Sequence, residues 1–147
     1  MKHKDTKTQR DGLWLVSPEA EDVARDVVDA AFSVHRELGP GLLESVYETC
    51  LARELHLRGV VCGRQVRVPL RYRGVELNEY LRLDLVVSDL VVVEVKAVES
   101  VLGVHAAQLL SYLKLSGFRL GLLINFNVPV IKDGIRRIVR RDKEELP

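Results

Sequence analysis

The stretch LRLDLVVSDLVVVEVKAVES, residues 81–100, limits the fold of this chain more than any other part of it. Its valines and leucines read as the middle of a buried sheet, and residues 76–87 and 91–97 read as two strands joined near Ser88-Asp89. Three charges interrupt them: Asp84, Glu94 and Lys96. A charge in a buried strand costs several kcal/mol unless it is paired or holds a metal. The fold must therefore bring these side chains to partners at a margin of the core.

The turn decides whether they can meet. A two-residue loop at Ser88-Asp89 sets Asp84 opposite Val93 and puts Glu94 on the other side of the sheet. A three-residue connection, Ser88 to Leu90, sets Asp84 opposite Glu94. That register, or one slipped by two, is expected. Two carboxylates facing one another across neighbouring strands form a natural site for a hard cation such as Mg²⁺ or Mn²⁺, which takes oxygen ligands and keeps several waters. Glu94 and Lys96 are two apart on a strand and share a face. A lysine there can orient an attacking water or stabilise charge building on phosphorus. The plainer alternative is a structural ion pair between Glu94 and Lys96.

Around this core the periodicity is legible. SPEAEDVARDVVDAAFSVHREL starts a helix, with Ser17 as N-cap, Pro18 in the first turn and acidic residues at the positive end. Val23, Val27, Ala30, Ala31, Val34 and Leu38 recur at helical spacing, and the GPG of 39–41 stops them. A second helix is expected over 42–58, with Leu43, Val46, Tyr47, Cys50, Leu51, Leu55 and Leu57 as its apolar side. The period then changes to two: Val66, Val68, Leu70 and Tyr72 alternate with polar residues, and Pro69 points to an edge position or a bulge. A third helix fits 101–116, with a stripe of Leu102, Ala106, Leu109, Leu110 and Leu113. Residues 118–126 read as a buried strand, and 134–141 are open between a strand and a short helix. Residues 1–17 are polar at first and unpatterned, a loose arm ahead of a single domain over 18–147.

Candidate site residues extend beyond the strands. His105, Gln108 and Tyr112 lie three and four apart, on one helix face that can look toward the carboxylates. An amide and a phenol suit phosphate contacts or support of a metal site. The alternatives are a tyrosine at a core margin, a glutamine in solvent and a histidine that caps its helix. Glu44 sits at the start of the second helix, where a carboxylate is dipole-favoured anyway. It gains meaning if that helix packs beside Asp84 and Glu94.

The formal net charge of the 147 residues is +1, so no global field advertises a nucleic-acid partner. Two local basic stretches, 58–82 and 132–143, suit either a phosphate-binding face or ordinary solvated surface. Cys50 and Cys62 form no metal spacing and no disulfide framework. There is no apolar leader at the start and no run long enough to span a membrane, so a reducing cytoplasm is expected.

Taken in order, GPGLLESVYE, LRLDLVV, VVVEVKAVE, HAAQLLSYLKLSG and GLLINFNVPVIKDGIRRIV resemble the GxxExxY family, with Gly41, Glu44 and Tyr47 at its three fixed positions. The resemblance covers about residues 23–140. That family is grouped with the PD-(D/E)XK nuclease-like superfamily, which implies an α/β, restriction-endonuclease-like αβββαβ core with a mixed central sheet, here with an extra N-terminal helix. By position, Asp84 and Glu94-x-Lys96 match the metal and catalytic motif, and the Val95 carbonyl would assist in metal binding. Gln108 and Tyr112 resemble the Gln-x-x-x-Tyr motif of the branch related to RecB nucleases. Glu44 matches the helix glutamate that some branches add as a metal ligand or base. Leu83 stands where the motif name has proline. The resemblance implies a Mg²⁺-dependent hydrolase of nucleic acid, DNA foremost. A non-cutting binding module on the same fold, or an accessory protein that needs a partner, are the alternatives. Oligomeric state stays open, a homodimer included.

Overall fold

The structure is a computed structural model and describes residues 9–10 and 13–142. Two short strands, β1 (Gln9–Arg10) and β2 (Leu13–Trp14), pair antiparallel. Much of the expected arm, and Lys143 of the second basic stretch, lie outside the described residues. The described end of the arm does not hang free: Leu15 and Val16 are buried, Val16 within the main core.

Helix α1 (Pro18–Leu38) begins as its sequence demands. The Ser17 hydroxyl accepts the Ala20 N–H at 3.1 Å, which satisfies one of the amides left without a carbonyl in the first turn. Val23, Ala24, Val27, Ala30, Ala31 and Val34 form its buried side. Helix α2 (Glu44–Leu57) buries less than its composition suggests. Tyr47, Leu51 and Leu55, each one turn apart, face the sheet, whereas Leu43, Val46 and Leu57 are exposed. A helix at the side of a small domain has only one narrow stripe in contact, so its flanking apolar residues stay outside.

Five strands follow in spatial order: β3 (Cys62–Tyr72), β4 (Val75–Val87), β5 (Val91–Lys96), β6 (Leu120–Asn125) and β7 (Ile135–Val139). Only β5 and β6 run parallel, and helix α3 (Gly103–Ser116) is their crossover. This is the α/β architecture expected, a mixed sheet with the αβββαβ order and an added N-terminal helix. Helices α1 and α2 cover one face, packing on Leu85, Val87, Val91, Val93, Val95, Leu122 and Ile124. Helix α3 covers the other, with Leu109 and Leu113 against Val86, Val92 and Leu123. Leu102, counted in its stripe, lies at the N-cap and is exposed.

The segment left open between strand and helix is a strand, β7, entered through a 3-10 turn at Ile131–Gly134. Gly134 makes that entry possible. A Cβ there would lie 2.1 Å from the Asn125 carbonyl oxygen, a backbone atom that cannot swing aside. Gly134→Ala is expected to destabilise the protein by roughly 3 kcal/mol or more, the upper range for forced overpacking. A thermal melt indistinguishable from the parent would show that the β6–β7 connection can shift freely.

Candidate active site

The site forms where β4 and β5 part. Ser88 and Asp89 both take left-handed backbone (φ +51° and +56°), and the Leu90 N–H returns to the Val87 carbonyl at 3.0 Å. The connection is therefore three residues, Val87 pairs with Val91 and Leu85 with Val93. This is the register that sets Asp84 opposite Glu94.

At that row side chains replace the backbone ladder. The Asp84 N–H donates to Glu94 Oε2 at 3.0 Å, and the Val95 N–H donates to Asp84 Oδ2 at 2.9 Å. Each carboxylate spends one oxygen on the opposite strand's backbone and keeps the other for a further partner. The reciprocal pair ties each carboxylate to the facing strand.

Glu94 is 7% exposed. Burial first, and the Asp84 charge second, push its carboxyl up to about 8, against the opposing pull of the Asp84 N–H and of Lys96. Asp84 is raised too, mainly by burial, with the Val95 N–H opposing and the Glu48 and Glu44 charges adding. Two carboxyls held this close without a cation do not both ionise at neutral pH. Lys96 is half-buried and two residues along the same strand.

Behind Lys96 the chain is tied down by Asn125, a buried residue that the sequence did not single out. Its Oδ1 accepts the Val98 N–H at 3.0 Å and its Nδ2 donates to the Val98 carbonyl at 2.9 Å.

The helices supply the other candidates. On α3, Gln108 Nε2 donates to the Tyr112 hydroxyl at 2.9 Å. That hydroxyl is raised by burial and then by the charges of Glu94 and Asp84, which places it within the field of the carboxylate pair. His105 turns to its own helix: Nδ1 accepts the Leu102 N–H at 3.0 Å and closes the N-terminus.

On α2, Glu44 is exposed in the first turn. Its charge reaches Asp84 and Glu94. Among the described residues, however, no three His, Cys, Asp or Glu side chains converge closely enough to hold a metal ion. The donors at hand for a cation are Asp84 and Glu94, with the Val95 carbonyl next to them in the chain. One or two carboxylates with retained waters is a set that Mg²⁺ accepts.

Two residues that sequence reasoning missed fill the space between α2 and the strands. Gln65 lies opposite Asp84, bracketed by the pairs Arg64↔Leu85 and Val66↔Leu83, with φ +50°. Its Nε2 is 2.9 Å from Glu48 Oε1 and 3.5 Å from Asp84 Oδ1. Glu48 is 7% exposed and also receives Arg64, at 3.2 Å from Nη2. The signal for Glu48 was its place one turn after Glu44. For Gln65 there was none, since its role depends on a left-handed kink in the edge strand.

The Gly41, Glu44 and Tyr47 positions are organised around the loop that launches α2. Tyr47 is fully buried and stacks on Phe126 with centroids 4.7 Å apart. Its hydroxyl donates to the Gly39 carbonyl at 2.6 Å and accepts the Leu42 N–H at 3.1 Å. Gly41 has φ +103°, a conformation that side chains disfavour. Cys50 and Cys62 are free thiols. Part of the second basic stretch is structural, since Arg137 pairs with buried Glu21. No helix among the described residues is long and apolar enough to cross a membrane.

A profile of the PD-(D/E)XK nuclease superfamily matches residues 21–138. No curated protein and no solved structure matches the chain.

Proposed function

We propose that this chain, which belongs to the PD-(D/E)XK nuclease superfamily, is a Mg²⁺- or Mn²⁺-dependent nuclease of its GxxExxY branch, acting on DNA before RNA. The observation that carries this reading is the reciprocal Asp84–Glu94 pair: a half-buried and a buried carboxyl, each anchored by one oxygen, with Glu94 pushed up to about 8. At neutral pH such a pair holds a proton in the place of a cation, which is the chemistry of a donor set fitted to a divalent ion.

A divalent ion bound there would supply Lewis acidity to a phosphoryl oxygen and lower the pKa of a bound water. The chain does the rest. Water attacks phosphorus, a P–O bond to it forms, and the bond to the leaving sugar oxygen breaks, with a proton passing to that oxygen. Lys96, whose ammonium only donates hydrogen bonds, would hold the attacking water or meet the charge on the phosphoryl oxygens. Gln108 and Tyr112, already bonded to each other, would hold the backbone of the substrate. Gln65 would keep Asp84 oriented from the α2 side.

The second reading is a nucleic-acid-binding module that does not cut. Cleavage assays on single-stranded, duplex and branched DNA and on RNA, each with Mg²⁺, Mn²⁺ or EDTA, decide between them. Cutting with metal and none in EDTA is expected. Binding across the panel with no cutting under any metal would replace the first reading by the second.

A further inference from the structure

Strands β3 and β4 outrun the rest of the sheet. β5 meets β4 along Leu85–Val87, while β3 and β4 stay paired out to Tyr72↔Val75. Beyond the Asp84 row this leaves a two-stranded ribbon roughly 25 Å long. Residues 71–80 are exposed throughout. At its base, Val66 and Val68 pack with Leu109 and Leu113 of α3.

The other face of the ribbon carries Arg67, Tyr80 and Arg82. Arg67 stands directly opposite Arg82 in the ladder. Like charges so placed cost stability, and among the described residues neither arginine has a carboxylate partner, unlike Arg64 with Glu48 and Arg71 with Glu76. Both fold onto Tyr80 instead. The Arg67 guanidinium lies 4.2 Å from the ring centroid and donates to the hydroxyl at 3.0 Å. Arg82 lies 5.8 Å from the centroid and donates to the same oxygen at 3.2 Å. Two repelling cations braced on one phenol are preorganised for an anion with more than one charge. The row is two residues, about 7 Å, from the Gln65–Asp84 row, a distance that suits phosphates neighbouring one held at the carboxylates.

We infer that the β3–β4 ribbon is an arm for duplex nucleic acid, on which Arg67 and Arg82 hold backbone phosphates flanking the site while the outer ribbon lies in a groove. The inference rests on the nucleic-acid reading above, but not on cleavage. A two-stranded ribbon fits a major groove about 12 Å wide. Arg67 already covers the Tyr80 ring, so the ring does not offer the open stacking platform that single-strand binders use.

The test is fluorescence anisotropy in EDTA, on a labelled duplex and a single strand of equal length, over a range of salt. The parent is expected to favour the duplex. Arg67→Ala/Arg82→Ala should lose at least about tenfold in affinity and flatten the log K against log salt slope by about two. Its thermal melt should hold, since both side chains are exposed. Arg36→Ala/Arg53→Ala, an equal loss of charge on α1 and α2, should leave affinity and slope near the parent's. Parental binding by the ribbon variant, an equal loss in the control, a preference for single strands, or no duplex binding by the parent would each overturn the inference. A parent that never cuts, with duplex binding still lost in the ribbon variant, removes the nuclease reading and leaves the arm. A parent that cuts, with a ribbon variant that cuts and binds equally well, removes the arm alone.

Discussion

Lys96→Ala is expected to cut roughly 100- to 1000-fold more slowly than the parent in single-turnover assays, while its metal and nucleic-acid affinities stay close to parental. The magnitude is that of removing one preorganised electrostatic group from a reaction centre. The reason for the separation is that Asp84 and Glu94 are held by backbone amides and not by Lys96. Removing the lysine leaves the carboxylate pair built. What is lost is a cation beside the atoms where charge develops, an interaction worth most in the transition state. Glu94→Gln is expected to give a different pattern: cutting should be abolished, because the proposed metal site would lose a ligand, yet nucleic-acid binding without metal should hold. At neutral pH metal-free Glu94 is already mostly protonated, since its carboxyl titrates at about 8. Any gain in affinity from Glu94→Gln should therefore emerge above that pH. If Lys96→Ala cuts at the parental rate, Lys96 is only an ion-pair partner and its place in the mechanism fails.

The second large effect is on stability. Folding raises the Glu94 carboxyl from its ordinary value of 4.5 to about 8, so the folded state binds a proton that the unfolded state has released. The sign follows: the metal-free protein has its full stability below about pH 4.5 as far as this group is concerned. That contribution is lost as pH rises toward and through 8, a change on the order of a few kcal/mol. Asp84 is shifted in the same direction and adds to the trend. Thermal melts in EDTA should fall between pH 6 and pH 9 for the parent, and fall much less for Glu94→Gln, which keeps an oxygen for the Asp84 N–H without a charge. Added Mn²⁺ should raise the parental melt most at the high end of that range, by mass action on the folded state. The gain should shrink for Asp84→Ala. An equal rise in both proteins would place the bound metal elsewhere, and a flat pH profile in EDTA would mean that Glu94 is not buried beside Asp84.

Much of the fold was written locally. Ser17 and Pro18 start α1 and Gly39 ends it, because capping depends on residues three or four apart. The valine runs marked β5 and the inner end of β4, Leu85–Val87, as buried strand, and of the two loop lengths the sequence offered, the expected three-residue turn at Ser88–Leu90 is the one that sets Asp84 opposite Glu94. The spacing of Gln108 and Tyr112 put them side by side on α3. What neighbouring residues could not encode came from layers meeting. Which apolar residues of α2 are covered depends on how little of that helix touches the sheet, so Leu43, Val46 and Leu57 stayed outside. Gln65 meets Glu48, 17 residues earlier in the chain, only because an edge strand kinks under the helix before it. Local sequence chooses elements and registers, since those depend on short-range periods and turns. The final separation of side chains on different layers is decided only when the layers close on a common core.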